Sequence, residues 1–233
     1  MKITNGKTTL QTLALAANRT ASFHLYDVNN SQRLKAEEAV KRIFRTAYGA
    51  DISYYLPFLL TAEINQRVAA VVGIRSAIAQ PLFLEQYLNC PIETSIKNIN
   101  GLDISRKNIA EIGNLVSCKT GISRQLFIVL AFALAQANIE WVSFTATTQV
   151  EQVLAKLSLQ PVIIGQASEA SLANGNGNWG SYYVDKPNVC IGNVYNAVHE
   201  LKKSIAIREM TTKLEPTISQ LAQQLSQQIE VDS

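Results

Sequence analysis

The sequence predicts an α/β (α+β) fold in which a mixed, mostly antiparallel central sheet is flanked by helices and followed by a helical C-terminal extension. Two apolar runs separated by "NQ" at 65–66 predict an antiparallel hairpin. An apolar strand, a helix and a second strand between 108 and 147 predict a parallel pair joined by a crossover helix. With 233 residues, 47% of them hydrophobic, the chain can bury a large core. We therefore expect one domain over 1–195, with an N-terminal arm at 1–22, and a helical extension over 196–233.

The first half of the chain predicts one long helix and the hairpin. A strand is predicted at 24–27, and "NNSQRLKAEEAVKRIFRTAYGA" predicts a helix that Asn30 or Ser31 caps and Gly49 ends. The hairpin is formed by "SYYLPFLLTAEI" and "QRVAAVVGIRSA", with Gly73 as a candidate bulge. "PLFLEQYL" predicts a short strand or extended segment, and "CPIETSIKNI" a short helix opened by Pro91.

The second half predicts the rest of the sheet. Strands are expected at 108–117 and 139–147 with a helix at 122–137 between them, and "TTQVEQVLAKLSL" predicts a short amphipathic helix. "PVIIGQA" predicts a strand, "SLANGNGNWG" a loop because of its glycines and asparagines, and "SYYVD" the strand that closes the sheet.

The C-terminal extension carries an apolar seam on a helix that follows Pro216. Apolar residues recur three or four positions apart, with glutamines on the other face. One reading is a contact with a partner helix, which makes this seam a candidate homodimer interface. The other is a helix folded back on its own domain. The seam residues are Leu214, Ile218, Leu221, Leu225 and Ile229.

Composition excludes several classes of function. A net charge of +3 without blocks of like charge gives no electrostatic footprint for nucleic acid. The longest uncharged apolar run, Leu126 to Ala135, is about half of the roughly 20 residues that a membrane-spanning helix needs. The three cysteines form no CxxC or His/Cys metal set, so we expect no metal and a reducing, cytoplasmic location.

The stretch "EIGNLVSCKTGISRQLFIVL" at 111–130 joins a strand, a loop with one glycine and an apolar helix. Backbone N–H groups at a helix start attract an anion, Gly121 allows close approach, and Lys119 and Arg124 add positive charge. Thr120 or Ser123 could cap the helix or bind a phosphate oxygen. The alternative is a plain strand–turn–helix connection, since the stretch is neither a Walker A loop nor GxGxxG.

Three further residues carry candidate chemistry. Glu111 lies in an otherwise apolar strand, where it is either a general base with a pKa raised by burial or a structural residue that faces an edge or forms a salt bridge. Glu85 and Tyr87 share one face of the expected extended segment, either at the mouth of an apolar pocket or on an ordinary edge strand. Cys118 precedes a helix start but has no histidine near it in sequence.

Several motifs in order resemble the thermostable hemolysin family over about residues 33–192. They are "AYGADISYYLPFLL", "GIRSA", "PLFLEQYL", "IAEIGNLVS", "EWVSFTAT" and "GNWGSYY". That family is similar to the GNAT acyltransferase superfamily and, within it, to acyl-homoserine-lactone synthases and N-acyl amino acid synthases.

The resemblance implies a GNAT-like sheet in which two central strands splay apart and admit a pantetheine. It implies that the strand backbone contacts the pantetheine through Asn114, Leu115, Val116 and Ser117. It further implies that the following loop holds the phosphate through Cys118, Lys119, Thr120, Gly121, Ile122, Ser123 and Arg124. This loop departs from the Q/R-x-x-G-x-G/A signature of GNAT enzymes, and the departure is compatible with an acyl carrier protein as donor.

The resemblance also implies roles around the acceptor. Glu111 falls where many GNAT enzymes place a general base, and Tyr87, Tyr182 or Tyr183 could return a proton to the leaving thiolate. The residues expected to contact the substrate are Arg42, Phe44, Trp179, Tyr182 and Tyr183.

The expected function is N-acyl transfer from a thioester, either acyl carrier protein or acyl-CoA, to the amine of a small molecule. An amino acid is one candidate amine, and the product would serve in secondary-metabolite or signal biosynthesis. The thioester is a co-substrate, and no tightly bound cofactor is expected. The alternatives are a non-catalytic GNAT-like module that binds a protein partner or a membrane, and a hemolysin acting directly on membranes. This sequence has no segment of the kind that a pore-forming hemolysin uses to span a membrane, and lysis could instead follow from an amphiphilic product.

Overall fold

A computed structural model describes residues 21–118, 121–172 and 178–231, with side chains as far as residue 227. Most of the expected N-terminal arm lies outside the described residues, as do Lys119, Thr120 and the centre of the glycine-rich loop at 173–177. Residue 22, which we expected in the arm, instead begins the first strand.

The described residues form a seven-stranded sheet in the order β1-β2-β3-β4-β5-β7-β6. Every neighbouring pair is antiparallel except β4 and β5, which confirms the predicted fold class and the predicted parallel pair. The strands are β1 (Ser22–Tyr26), β2 (Phe58–Ile64), β3 (Arg67–Ser76), β4 (Ile109–Ser117), β5 (Trp141–Ala146), β6 (Val162–Gln166) and β7 (Asn188–Asn193).

Helices cover both faces of the sheet in the described part of the chain. One face packs against α3 and the C-terminal helices, and the other packs against α1, α2 and short 3-10 turns. The helices are α1 (Arg33–Tyr48), α2 (Ile92–Asn100), α3 (Ile122–Gln136), α4 (Thr148–Lys156), α5 (Val194–Leu201), α6 (Ile205–Lys213) and α7 (Glu215–Val231).

Local sequence signals set the turns around α1 and the hairpin. Gly49 adopts φ 67° and ends α1 as predicted, because glycine enters the left-handed region without steric cost. The N-cap is Gln32 rather than Asn30 or Ser31; Asn30 instead accepts a hydrogen bond from the Gln32 N–H at 2.9 Å. Asn65 and Gln66 have φ values of 52° and 62°, so both residues of the two-residue hairpin loop are left-handed, as such a tight turn requires.

The predicted closing strand "SYYVD" is wrong, because Tyr182–Asp185 form a 3-10 turn. The rings of Tyr182 and Tyr183 both contact Trp179, with centroids 5.4 and 5.8 Å away. Consecutive residues of a strand point to opposite faces and could not share that contact, whereas a helical turn allows it. The strand in this region is β7, which follows Pro187 and was not predicted.

The predicted extended segment "PLFLEQYL" is also wrong, because Phe83–Tyr87 form a 3-10 helix. The carboxylate of Glu111 accepts hydrogen bonds from the consecutive N–H groups of Phe83 and Leu84. Two adjacent N–H groups on one carboxylate require a turn, since in a strand they would point in opposite directions. Local sequence patterns cannot predict this contact, because Glu111 is 27 and 28 positions away from Leu84 and Phe83 in the sequence.

The C-terminal seam is folded back on its own domain. Ile218, Leu221 and Leu225 are buried in the core cluster that contains α3 and one face of the sheet. The seam on which the homodimer expectation rested is therefore covered by the chain itself as far as residue 225; the side chain of Ile229 lies outside the described residues. The core on the α3 face thus depends on α7.

Candidate active site

The candidate site begins where β4 and β5 separate. The two strands pair only from Ile109 opposite Trp141 to Ile112 opposite Phe144. Beyond this point β4 runs on along β3, and β5 runs on along β7. The sheet therefore has a gap at its centre, which is the splayed arrangement that the family resemblance implied.

A cavity of about 1030 Å³ passes through this gap, and we name it the central cavity. This volume lies at the upper end of the roughly 300–1,000 Å³ typical of small-molecule sites, so it can take more than one substrate group. On the α3 side of the sheet its wall is mainly apolar. Residues on that side include Phe127, Leu130, Leu134, Val142, Phe144 and Val153.

On the other side of the sheet the wall is aromatic, and we name this part the aromatic chamber. Its rings contact their neighbours in a continuous network, with centroids 5.1–6.3 Å apart. All of them line the central cavity. The structure thus brings five sequence-predicted residues together with Tyr48, Tyr54 and Phe83, which we did not predict. The chamber consists of Phe44, Tyr48, Tyr54, Phe83, Tyr87, Trp179, Tyr182 and Tyr183.

Two chamber tyrosines form a hydroxyl pair. The oxygen atoms of Tyr87 and Tyr183 lie 2.6 Å apart. Burial raises the pKa of Tyr87, and its hydrogen bond with Tyr183 raises that pKa further. Burial also raises the pKa of Tyr183, against the lowering effect of the bond to Tyr87. Both phenols are therefore protonated at neutral pH, and one donates to the other.

Glu111 lies on the wall of the central cavity at the floor of the chamber. It is 4% exposed, and its two oxygens accept hydrogen bonds of 2.9 Å from Phe83 N–H and 2.8 Å from Leu84 N–H. Burial raises its pKa, while the two backbone N–H groups and the charge of Arg75 oppose the rise. A carboxylate held in this state can accept a proton more readily than a solvated one.

Glu85 lies in a different environment from Glu111, and it does not line the central cavity. Arg106 donates to its oxygens at 2.8 and 3.2 Å, and Ile92 N–H and Leu82 N–H donate at 2.7 and 2.6 Å. Burial alone would raise the pKa of Glu85, but Arg106 and the two backbone groups outweigh it and lower that pKa. These contacts fix the 3-10 turn to the start of α2.

A bulge in β4 shapes the gap. Asn114 and Leu115 together stand opposite a single residue of β3, so the extra residue of this pair lies in β4. In the hairpin itself the register shifts at Ala69 and not at the predicted Gly73. Asn114 is left-handed, with φ 46°, and its side chain binds the segment that precedes β2. Leu56 of that segment packs over Gly113, where an added Cβ would come within 3.0 Å of its side chain.

The expected phosphate loop begins at the end of β4. Its first residue, Cys118, is exposed, and its N–H donates to the Ala69 carbonyl at 2.8 Å. Gly121 is the N-cap of α3 with φ 95°, so Ser123 is not the cap, and Thr120 lies outside the described residues. Ser117, Cys118 and Ser123 line the central cavity.

Arg124 faces a second groove of about 480 Å³ beside the start of α3. Lys156 and Lys203 line the same groove. On α1, Arg42 is exposed and does not line the central cavity, whereas Phe44 two residues later does. The helix therefore brings only one of the two predicted acceptor residues to the cavity.

Two buried polar atoms on β5 have no hydrogen-bond partner in the described part of the chain. They are Nε1 of Trp141 and Oγ of Ser143, and Ser143 stands opposite Glu111 in the β4–β5 register. Buried polar groups are nearly always paired, so an unpaired donor on a cavity wall marks a place for a ligand or water oxygen. Trp141 lines the central cavity. Sequence reasoning placed both residues in a strand but had no signal that they were unpaired.

A family model for thermostable hemolysins matches residues 26–198, about three quarters of the chain. The chain belongs to the thermostable hemolysin family. The match includes the gap, Glu111, Asn114 and the aromatic chamber. No curated protein matches the sequence of this family member.

Solved structures show what fold this thermostable hemolysin family member has. FeeM, an N-acyl amino acid synthase from uncultured soil microbes, aligns with a TM-score of 0.54 at 12% identity, over 77% of this chain and 94% of FeeM. The AHL synthase LasI aligns with a TM-score of 0.51 at 13% identity, over 76% of this chain and 91% of LasI. BjaI is a CoA-dependent acyl-homoserine lactone synthase solved with SAM and isopentyl-CoA. It aligns with a TM-score of 0.50 at 14% identity, over 79% of this chain and 89% of BjaI. The GNAT-like fold implied by the family resemblance is confirmed.

The same structure bears on the expectations about membranes and metals. None of the helices in the described ranges has the length and apolar character to cross a bilayer. The described residues also contain no group of three or more His, Cys, Asp or Glu side chains arranged to hold a metal ion.

Proposed function

We propose that this thermostable hemolysin family member is an N-acyltransferase that moves an acyl group from a thioester to the amine of a small molecule. The observation that carries the proposal is the central cavity, which passes through the gap between β4 and β5 and has Glu111 on its wall. An extended thioester arm fits such a gap because the strand edges beside it have no partner strand.

The donor enters along β4 in this proposal. The backbone of Asn114, Leu115, Val116 and Ser117 contacts the pantetheine, and the loop from Cys118 to Arg124, with Gly121 at the helix start, holds the phosphate. The positive end of α3 and the N–H groups of its first turn favour an anion there. Acyl-CoA and acyl carrier protein both present this pantetheine phosphate, and either serves as co-substrate.

The reaction proceeds by direct attack. The amine nitrogen attacks the thioester carbonyl carbon, the new C–N bond forms, and the C–S bond breaks to release a thiolate. Glu111 takes the proton that the amine loses, and Tyr87 donates a proton to the thiolate. Burial supports both roles, since it raises the pKa of Glu111 and keeps Tyr87 protonated.

The remaining predicted residues act around this centre. Phe44, Trp179, Tyr182 and Tyr183 form the wall against which the acceptor packs. Glu85 acts as a positioning residue, because it anchors the turn that carries Tyr87. Catalysis then depends mainly on holding the amine and the thioester in attack geometry.

The test uses the full-length protein with acyl-CoA and acyl carrier protein donors of several chain lengths and a pool of primary amines. We expect release of free thiol together with an N-acyl amide detected by mass spectrometry. Glu111→Gln should lower kcat by about 100-fold, within the range for loss of a general base. Glu63→Gln is the matched control, because Glu63 is a buried carboxylate that does not line the central cavity. Absence of both thiol release and thioester binding with every donor would contradict the proposal.

A further inference from the structure

The charges on the wall of the central cavity are few. Among the described residues that line it, the charged side chains are Glu111, Lys156 and Glu200. Lys156 lies on α4 and Glu200 on α5, on the α3 side of the sheet. Glu111 alone of the three contacts the aromatic chamber, through the N–H of Phe83.

In the described part of the chain, the arginines beside the chamber do not line the central cavity, although one of them contacts a chamber ring from outside. Arg75 stands opposite Glu111 in the β3–β4 register, but its guanidinium donates to the Tyr54 hydroxyl and lies 5.4 Å from the centre of that ring. It does not line the cavity. Arg106 is paired with Glu85 and Glu93, and Arg42 is exposed on α1.

We propose that the acceptor is a non-acidic amine, with an aromatic or apolar body and no carboxylate on the carbon that bears the nitrogen. This inference rests on the proposed N-acyltransferase function. Glu111 and the chamber rings line the same cavity, so the carboxylate attracts an ammonium group through its charge and the rings add cation–π contact. The bound ammonium loses one proton to solvent before it attacks, and the same carboxylate then takes the second proton, which the neutral amine loses as the C–N bond forms.

An α-amino acid is disfavoured by its own geometry. Its carboxylate sits on the carbon next to the nitrogen, so an amine that reaches Glu111 carries a second carboxylate into the same buried region. Two carboxylates at close range repel each other, and burial of an unpaired charge is costly. The unpaired indole N–H of Trp141 is a neutral donor and does not supply the missing positive charge.

The test compares three probes of similar shape by calorimetric titration of the full-length protein. Tyramine has no carboxyl group, tyrosine has a charged one, and tyrosinamide has an uncharged group of similar size. We expect tyramine to bind at least about tenfold more tightly than tyrosine, and tyrosinamide to bind within about threefold of tyramine. Tyrosine binding equal to or tighter than tyramine overturns the inference, and so does the absence of tyramine binding.

Variants assign the preference to named groups. Glu111→Gln should reduce the ratio of tyramine affinity to tyrosine affinity by at least about threefold. Glu63→Gln should leave this ratio unchanged, because Glu63 is a buried carboxylate outside the cavity. Phe44→Leu removes a chamber ring and leaves Glu111 unchanged, so it should weaken the binding of tyramine by about fivefold. An unchanged ratio in Glu111→Gln overturns the inference.

The binding test does not depend on turnover. If no donor releases thiol while tyramine still binds selectively, the proposed function fails and the recognition chemistry stands. If thiol is released and tyrosine is the preferred acceptor, the function stands and this inference fails.

Discussion

The side-chain oxygen of Asn114 accepts a 2.8 Å hydrogen bond from the backbone N–H of Leu56. The amide nitrogen of the same side chain donates to the Tyr54 carbonyl at 3.1 Å. Asn114 is the bulged residue of β4 beside the gap, and Tyr54 is a wall of the aromatic chamber. One side chain therefore links the opening in the sheet to the chamber.

Asn114→Gly tests this link. Glycine keeps the left-handed backbone but removes both hydrogen bonds, so we expect the free energy of unfolding to fall by about 1–3 kcal/mol. The measurement is urea unfolding. Asn138→Gly is the control, because Asn138 also has a positive φ, 59°, but is exposed in a surface turn. Equal stability of Asn114→Gly and the parent would show that the two bonds contribute nothing.

Gly73 lies where a side chain has no room. A Cβ on it would come within 2.8 Å of the Asn114 oxygen and 3.0 Å of Leu56 Cβ. We expect Gly73→Ala to lower the free energy of unfolding by about 1–3 kcal/mol, the usual cost of overpacking. Gly192→Ala is the matched strand variant, since its Cβ would meet Val142 at an ordinary 3.7 Å, and it should be neutral or slightly stabilising. The idea fails if both variants unfold at the same urea concentration.

The two glutamates near the 3-10 helix should respond to pH in opposite directions. The raised pKa of Glu111 means that the native state keeps this proton where the unfolded chain has lost it, so its contribution to stability falls as pH rises through that pKa. The lowered pKa of Glu85 means that its contribution is present above the ordinary glutamate value and is lost as pH falls. Relative to the parent, Glu111→Gln should therefore gain stability as pH rises above the ordinary glutamate pKa of about 4.3. The stability deficit of Glu85→Gln should be constant above that pH and should shrink as pH falls below it. Urea unfolding on both sides of this pH measures both effects, and the same pH trend in the two variants would refute the assignment.

Tyr87 and Tyr183, the two tyrosines of the hydroxyl pair, are the two candidates for the general acid that protonates the leaving thiolate. If Tyr87 supplies the proton to the thiolate, Tyr87→Phe should lower kcat by about 10–100-fold with little change in KM for the thioester. Tyr183→Phe leaves the Tyr87 hydroxyl in place and should cost less than about fivefold. Steady-state kinetics with the best donor provide the measurement. A larger loss in Tyr183→Phe would transfer the role to that residue.

The C-terminal helix α7 should stabilise the monomer. Leu221 is buried against the α3 core, so Leu221→Ala should lower the free energy of unfolding by about 2–5 kcal/mol. Gln220→Ala, one position away on the exposed face, should change it by less than about 0.5 kcal/mol. Sedimentation should show no change in oligomeric state for either variant. Dissociation of an oligomer by Leu221→Ala would instead support the seam as an interface between copies.

Much of the sheet could be read from local patterns. The hairpin, the crossover unit around α3 and the helix α1 with its terminal Gly49 follow from hydrophobic period and turn chemistry, which act over a few residues. Two segments whose type was predicted wrongly, Phe83–Tyr87 and Tyr182–Asp185, lie where partners distant in sequence decide the conformation. A carboxylate on β4 holds the first turn, and ring packing holds the second.

The sequence by itself determined the class of fold, the family and the strand–loop–helix unit that carries Glu111 and Gly121. It also indicated Glu85 and Tyr87 together as candidate site residues, because both are polar residues in an apolar stretch. Only the tertiary structure separated them, because Arg106 draws the carboxylate of Glu85 away from the cavity while Tyr87 meets Tyr183 across 96 positions of the chain. The gap, the bulge at Asn114 and the aromatic chamber depend in the same way on strand register and long-range contact, which no local pattern of residues encodes.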